Sequence, residues 1–394
     1  MVQSSKKDQP IRPAKERKPK KKTQKELLIE RAQLHVDHVG LKFNHKHYVF
    51  IAKLKQGELW ALDYLSLESK GHITPLFELG LPNKPLKKDA PTKSKPQHIE
   101  DSLELVGSQW AGLPFFLDLR HLAAKNAPPV PEDISQVFSR ARAKQLAVVP
   151  VTSPLWPIIC QDAIREVIQS DGRGVMLRLE RGFFDSAEIV QTRVKSFLDL
   201  LGADKEQVDI LIDLSYQSQK SEVKKLARNY LQMLPDPERW RTVTVAVGCF
   251  PDSISDNQLE KWIPYERADW LGYVSVGGSG LKTKPRIPSY GDYGVRWYGR
   301  PGNGGRGPLP NLRYTASDVI WTRRGNAENG AMRSICQNLI KQPFFSKEDF
   351  SEGDKLIALK AASRETTNGS AYQWIEWCTN HHLELTFSQI QNLP

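Results

Sequence analysis

A (β/α)₈ barrel is the fold this sequence predicts, and three features predict it. Short apolar runs recur at crossover spacing, the stretches between them are polar and helix-compatible, and most runs end on an ionisable residue. The runs are Tyr48–Lys55, Ile73–Leu79, Pro114–Leu119, Ala147–Thr152, Gly174–Leu179, Val208–Ser215 and Thr242–Gly248. A parallel crossover takes roughly 30 residues, and strands covered on both faces read as continuous apolar runs. Seven such units predict a parallel sheet, and an eighth would close it. The eighth is placed at Pro285–Asp292 (PRIPSYGD), with Asn257–Val276 as its crossover helix and connector. Pro288 inside that run weakens it as a strand, which leaves a seven-stranded open sheet as the structural alternative.

Around this barrel, composition sets the remaining organisation. With 394 residues, length alone allows two or three domains, but a barrel of about 250 residues counts as one. Apolar residues make up 39%, including 10 Trp, so the chain can bury a core and is not globally disordered. The net charge of +11 is concentrated in residues 1–25, where ten Lys and Arg face only Asp8 and Glu16. Residues 1–24 are therefore expected to be a disordered Lys-rich tail, residues 25–313 the barrel, and residues 314–394 an elaboration packed on it. A helix is expected over Lys25–Asp37. Leu81–Leu103, rich in Pro and Lys, reads as an exposed loop. The last region should hold a strand at Asp318–Arg323, a helix at Ala331–Lys341 and an aromatic segment at Tyr372–Trp377.

Several functional classes are unsupported. No run of about 18 apolar residues spans a membrane, and the N-terminus lacks the apolar segment of a secretory signal. A cytoplasmic protein with no membrane partner is expected. Cys160, Cys249, Cys336 and Cys378 are widely spaced, so they read as reduced thiols rather than a zinc site. Neither G-x-S-x-G nor H-E-x-x-H occurs. Gly302–Gly307 (GNGGRG) lacks the ending of a phosphate loop and reads as plain loop. His381 and His382, placed on a strand, would face opposite ways and so would not chelate one metal.

Side chains alternate along a strand. Val49, Ile51, Lys53 and Lys55 therefore share a face, as do Thr74, Leu76 and Glu78. So do Phe116, Asp118 and Arg120; Met176 and Arg178; and Leu211, Asp213 and Ser215. The charged members fall at the C-terminal strand ends, where barrel enzymes build their sites. Asp292, in the turn Gly291-Asp292-Tyr293-Gly294, is expected at the same mouth. The candidate site is thus Lys53, Lys55, Glu78, Asp118, Arg178, Asp213 and Asp292. Glu78, Asp118 and Asp213 together would suit Mg²⁺, and Lys53, Lys55 and Arg178 a phosphate or carboxylate. That set fits metal-assisted hydrolysis of a phosphodiester or similar bond. It equally fits metal-free general acid–base chemistry, or salt bridges that only hold the barrel together.

The same residues carry a family resemblance. The segments Tyr48–Leu65 (with Lys53, Lys55, Gly57 and Glu58), Ile73–Leu79, Phe116–Leu119, Gly174–Leu179, Ile210–Leu214, Ser289–Gly294, Phe350–Asp354 (FSEGD) and Asn380–Leu383 (NHHL) resemble the phage-related "beta protein" family. Tyr290 stands where Phe is expected, a change that leaves the turn intact. The resemblance implies a barrel-like fold and a role in phage biology, with anti-phage defence the expectation. It implies no reaction. Two functions follow: an enzyme acting at the mouth on a phosphorylated or nucleotide-containing substrate, or a non-catalytic component of a defence complex. The latter would recognise a phage protein or small ligand and hold nucleic acid through the basic tail.

Overall fold

The computed structural model describes residues 43–82, 93–110, 112–123, 127–255, 257–277, 286–299 and 309–393. The expected tail, the helix at Lys25–Asp37 and the GNGGRG segment lie outside these residues.

Each of the seven apolar runs forms a strand: β1 (Tyr48–Lys53), β2 (Ile73–Gly80), β3 (Phe115–His121), β4 (Val148–Thr152), β5 (Val175–Glu180), β6 (Val208–Tyr216) and β7 (Thr242–Gly248). Helices follow them: α1 (Gln56–Asp63) and α2 (Leu67–His72) after β1, α3 (Lys95–Gln109) after β2, α4 (Pro131–Ala143) after β3, α5 (Ile158–Asp171) after β4, α6 (Ala187–Leu201) after β5 and α7 (Lys220–Met233) after β6. After β7 come β8 (Trp262–Glu266), α8 (Ala268–Gly277) and β9 (Ser289–Asp292). β9 pairs in parallel with both β7 and β1. The eight parallel strands form a closed barrel, so the open-sheet alternative is set aside. β9 begins directly after Pro288, so the proline costs the ladder nothing.

Alternation sorts the strand residues into two layers. Val49, Ile51, Leu76, Phe116, Val149, Val151, Met176, Leu211 and Ala246 fill the barrel interior with Tyr293. Tyr48, Phe50, Phe77, Leu117, Leu177, Ile210 and Val245 face outward into the layer beneath the helices. Both faces are apolar, which is why the runs read as continuous.

Three elements differ from expectation. Lys95–Leu103 is not loop but most of α3, whose N-cap Ser94 accepts from the Gln97 amide; its helical face of Ile99, Leu103 and Val106 outweighs the Pro and Lys content. Residues 83–92 of that expected loop are not among those described. Within Asn257–Val276, β8 is a strand that leaves the barrel. It pairs antiparallel with β11 (Val319–Arg324), which pairs with β10 (Asn311–Thr315), making a separate three-stranded sheet. β10 thus spans the boundary drawn at residues 313 and 314. Finally, the aromatic segment and the two histidines lie on one long helix, α11 (Ala371–Gln391), after α9 (Ala331–Leu339) and α10 (Glu352–Ala362). A second core, including Leu312, Tyr314, Ile320, Ile335, Leu339, Trp374 and Trp377, joins the small sheet to these helices. Helix α11 also packs along α1.

All four cysteines are buried and free. Among the described residues no helix is long and apolar enough to cross a membrane.

Candidate active site

The interior strand positions end on charge, and these charges meet. Arg178 on β5 is 1% exposed and occupies the centre of the mouth. Its Nη1 donates to Glu78 Oε1 on β2 at 2.8 Å and to Asp118 Oδ2 on β3 at 2.7 Å. Its Nε donates to Asp213 Oδ2 on β6 at 2.9 Å. Its Nη2 donates to the Tyr293 hydroxyl at 2.6 Å, which in turn donates to Asp213 at 2.8 Å. Asp213 is further fixed by the amide of Ser215, whose φ of 57° lies in the left-handed region. A buried charge is tolerated only when paired and hydrogen-bonded, and this guanidinium is satisfied from four directions.

A second layer sits toward the rim. Lys53 on β1 pairs with Glu78 Oε2 and donates to the Tyr298 carbonyl at 2.9 Å. His121 Nε2 at the end of β3 lies 3.3 Å from Lys53 Nζ and 3.5 Å from Glu78. Arg120 donates to Asp118 at 2.7 Å and to Glu180 on β5 at 2.9 Å. Burial pushes the Glu78 carboxyl up, but the Lys53 and Arg178 charges outweigh it and hold the group well below the usual carboxylate range. Burial likewise raises Asp118, and Arg120 and Arg178 bring it below its ordinary value. Burial lowers the pKa of Lys53, with the Glu78 charge working against that shift.

The sequence thus placed Lys53, Glu78, Asp118, Arg178 and Asp213 in one cluster, and the fold brings them together. Two expected members lie elsewhere. Lys55 lies two residues beyond the end of β1 and is the N-cap of α1, so it leaves the interior face and opens onto a neighbouring cleft. Asp292 faces outward, because Tyr290 and Asp292 are in register with Tyr48 and Phe50 of the outer layer. There it accepts from the Tyr48 hydroxyl, from the Tyr290 hydroxyl at 3.0 Å and from the Gly294 amide at 2.9 Å, and it meets His382 Nε2 at 2.9 Å. Gly294 has a φ of 58°, and a Cβ there would sit 2.9 Å from the Phe50 ring, so glycine is required for this turn.

The metal expectation for Glu78, Asp118 and Asp213 does not fit the geometry. The carboxylates converge, but on the Arg178 guanidinium, which stands where a cation would bind. Among the described residues, no cluster of three or more acidic, His or Cys side chains is placed to hold a metal. His381 and His382 have structural partners. His381 bridges Asp354 Oδ2 at 2.7 Å and the Thr315 carbonyl at 2.8 Å; His382 bridges Asp292 and Thr315 Oγ1 at 2.9 Å. Sequence reasoning missed His121, Tyr293 and Glu180 as site residues. Glu180 lies two residues beyond Arg178, so the alternation rule extends to it, whereas Tyr293 is the neighbour of Asp292 and takes the inward face expected for Asp292.

The family model for Beta protein matches residues 48–387. The chain belongs to the Beta protein family. That span covers every strand of the barrel and most of α11. No curated protein sequence matches the chain. Among solved structures, this Beta protein is similar to a type I 3-dehydroquinate dehydratase from Clostridium difficile, at 10% identity over 64% of this chain and 86% of that one, with a TM-score of 0.38. It is also similar to a mutant tryptophan synthase α-subunit from Pyrococcus furiosus, at 12% identity over 64% of this chain and 89% of that one, with a TM-score of 0.35. These likenesses are too weak to bear on chemistry, and the barrel rests on its own strand pairing.

Proposed function

We propose that the barrel mouth acts on a phosphorylated or nucleotide-containing substrate by general acid–base chemistry, in a protein that serves in phage–host conflict. One observation carries the chemical part: Lys53, Glu78 and His121, on three successive strands, lie in mutual contact above a permanently charged Arg178. The His121 side chain is 18% exposed and is the one of the three most open to solvent. Glu78 is held ionised, while burial makes Lys53 a readier proton donor than an exposed lysine. Arg120, on the rim beside them, is paired with Asp118 and Glu180 and would meet an anionic substrate by exchanging the Glu180 contact for it. The phage link rests on the family resemblance.

The test is a thermal-shift screen of the purified chain against nucleotides and phosphorylated metabolites, followed by turnover assays on whatever stabilises it. Lys53→Met and His121→Ala should each lose about 10²-fold or more in turnover while remaining folded. Turnover at the native rate in both variants would refute the assignment.

A second reading has its own support. Every carboxylate of the inner ring is already paired with a cation, as in a network that shapes a recognition surface rather than reacts. In that case ligands would bind without turnover, and cells expressing His121→Ala would resist phage as well as native cells do. The basic tail would then hold nucleic acid, and removing residues 1–24 should abolish the salt dependence of that binding.

A further inference from the structure

Single exposed aliphatic side chains are ordinary on a protein surface, but here they gather in one arc. Leu155, Ile158 and Ile159 are 58%, 67% and 62% exposed, and Val130 and Ile189 are exposed as well. Leu155 lies in the β4–α5 connection, and Ile158 and Ile159 are the first residues of α5. Val130 is the N-cap of α4, and Ile189 lies in the first turn of α6. Helix α5 packs against both α4 and α6, and the Cys160 thiol donates to the Pro129 carbonyl at 3.2 Å, which ties the two loops together. All five side chains therefore stand at the C-terminal end of the barrel, above strands β3 to β5.

The fold does not need apolar residues at these positions. Helix α5 already buries Cys160, Ala163, Ile164, Val167 and Ile168. A first helical turn favours acids, because its free amides carry positive charge. Helix α4 has Glu132 and Asp133 there and α6 has Glu188, whereas α5 has no acid and two isoleucines. The flanking segments are apolar throughout, 127–131 (APPVP) and 154–160 (PLWPIIC). Together the five side chains expose roughly 400–500 Å² of aliphatic surface, as much as the largest patch on a typical monomer. That is more than half of the roughly 800 Å² that each partner buries in a stable interface, and half-buried Trp156 extends it.

The edge of the arc decides what covers it. Arg165 pairs with Asp162 at 2.9 Å, Arg193 with Asp185 at 2.7 Å and Lys95 with Asp133 at 2.8 Å. Among the described residues at this edge, that leaves Glu132 and Glu188 against Arg181, a surplus of one acid. A loop that inserts into anionic lipid is surrounded by Lys and Arg, and this one is not. A nearly neutral apolar face is instead complementary to itself: a two-fold axis sets apolar surface on apolar surface and brings no strong like charge together. We infer that the arc is a docking face for a second copy of this chain, in a two-fold dimer whose partner walls the β3–β5 side of the mouth. The inference is independent of the chemistry proposed there.

The experiment is sedimentation velocity of the full chain, freed of nucleic acid by nuclease, over about 1–100 µM. The native protein is compared with Ile158→Asp/Ile159→Asp and with Leu155→Ser. An acid suits a first helical turn, so the double variant should melt at or above the native temperature, which separates folding from association. The native chain should pass from monomer to dimer with concentration, and should do so at high salt too, because apolar contacts are not screened. The double variant should weaken association about 100-fold or more, and Leu155→Ser about tenfold. A native chain that stays monomeric, or a dimer undiminished in either variant, would overturn the inference. So would a monomeric native chain that binds phosphatidylcholine vesicles through the same isoleucines, since the arc would then belong to a lipid surface. Should the double variant not fold, Leu155→Ser decides alone.

Discussion

Arg178 on β5 reaches across the barrel to Glu78 on β2, 2.8 Å from Nη1 to Oε1. The same nitrogen serves Asp118, so one planar cation is shared by three strands. Replacing it with methionine leaves Glu78, Asp118 and Asp213 buried with less compensation. The expected loss of unfolding free energy is about 3–5 kcal/mol, read by urea denaturation. Arg178→Lys should recover little of it, because an ammonium cannot span the fork. Native stability in either variant would mean that the ring is incidental to the fold.

Acid should attack this ring. Glu78 and Asp118 titrate lower in the folded chain than unfolded, where carboxyls sit near about 4. Their contribution is complete above that range and is lost as pH falls toward their folded values. Urea midpoints should therefore drop steeply below about pH 4, and less steeply in Glu78→Gln, where one of the depressed groups is gone.

The opposite dependence is expected from α11. Glu376 is buried there, and burial alone pushes its carboxyl up to about 8. The folded chain holds a proton that the unfolded chain releases above about pH 4, so stability declines as pH rises toward 8. Glu376→Gln should flatten that decline, so that its melting temperature overtakes the native value at pH 8.5 but not at pH 5. Parallel melting curves across that range would contradict this.

Asp292 should behave differently from the ring. Asp292→Asn loses charge-assisted bonds to His382 and Tyr48, and should cost roughly 2 kcal/mol. Hydrogen exchange should accelerate in 371–391, while ligand binding at the mouth is kept. Loss of mouth binding without loosening of that helix would place Asp292 in the site after all.

Much of this was legible from the chain. Strands buried on both faces announce themselves as apolar runs, and alternation then fixes which charged residue points inward, as it did for Glu78, Asp118, Arg178 and Asp213. β8 is hidden in the sequence because Trp262–Glu266 is only five residues long and carries Pro264 at its centre, which argues against a strand. The face of Asp292 is not legible from the turn alone, because it is set by the register of β9 against β1. A large Tyr290 suits the thick layer under the helices, and Gly291 suits the narrow interior. Nor can a sequence show that three carboxylates share one guanidinium, since they lie 35 to 100 residues from Arg178. The FSEGD and NHHL segments, far apart in sequence, proved to be one contact. The Gly353 amide donates to Asn380 Oδ1 at 2.8 Å, and Asp354 holds His381. A Cβ on Gly353 would lie 2.2 Å from the Trp377 carbonyl, so only glycine lets α10 and α11 approach this closely.

The outward turn of Asp292 also bears on when the molecule can be made. β9 is four residues long, and its final carboxylate is held by Tyr48 at one end of the chain's barrel and by His382, 90 residues later. During synthesis the eight strands emerge well before that histidine. The seam between first and last strand is therefore left without its clasp until α11 arrives, and a nascent barrel released early would open there and offer the unpaired edges of β1 and β9 to other chains.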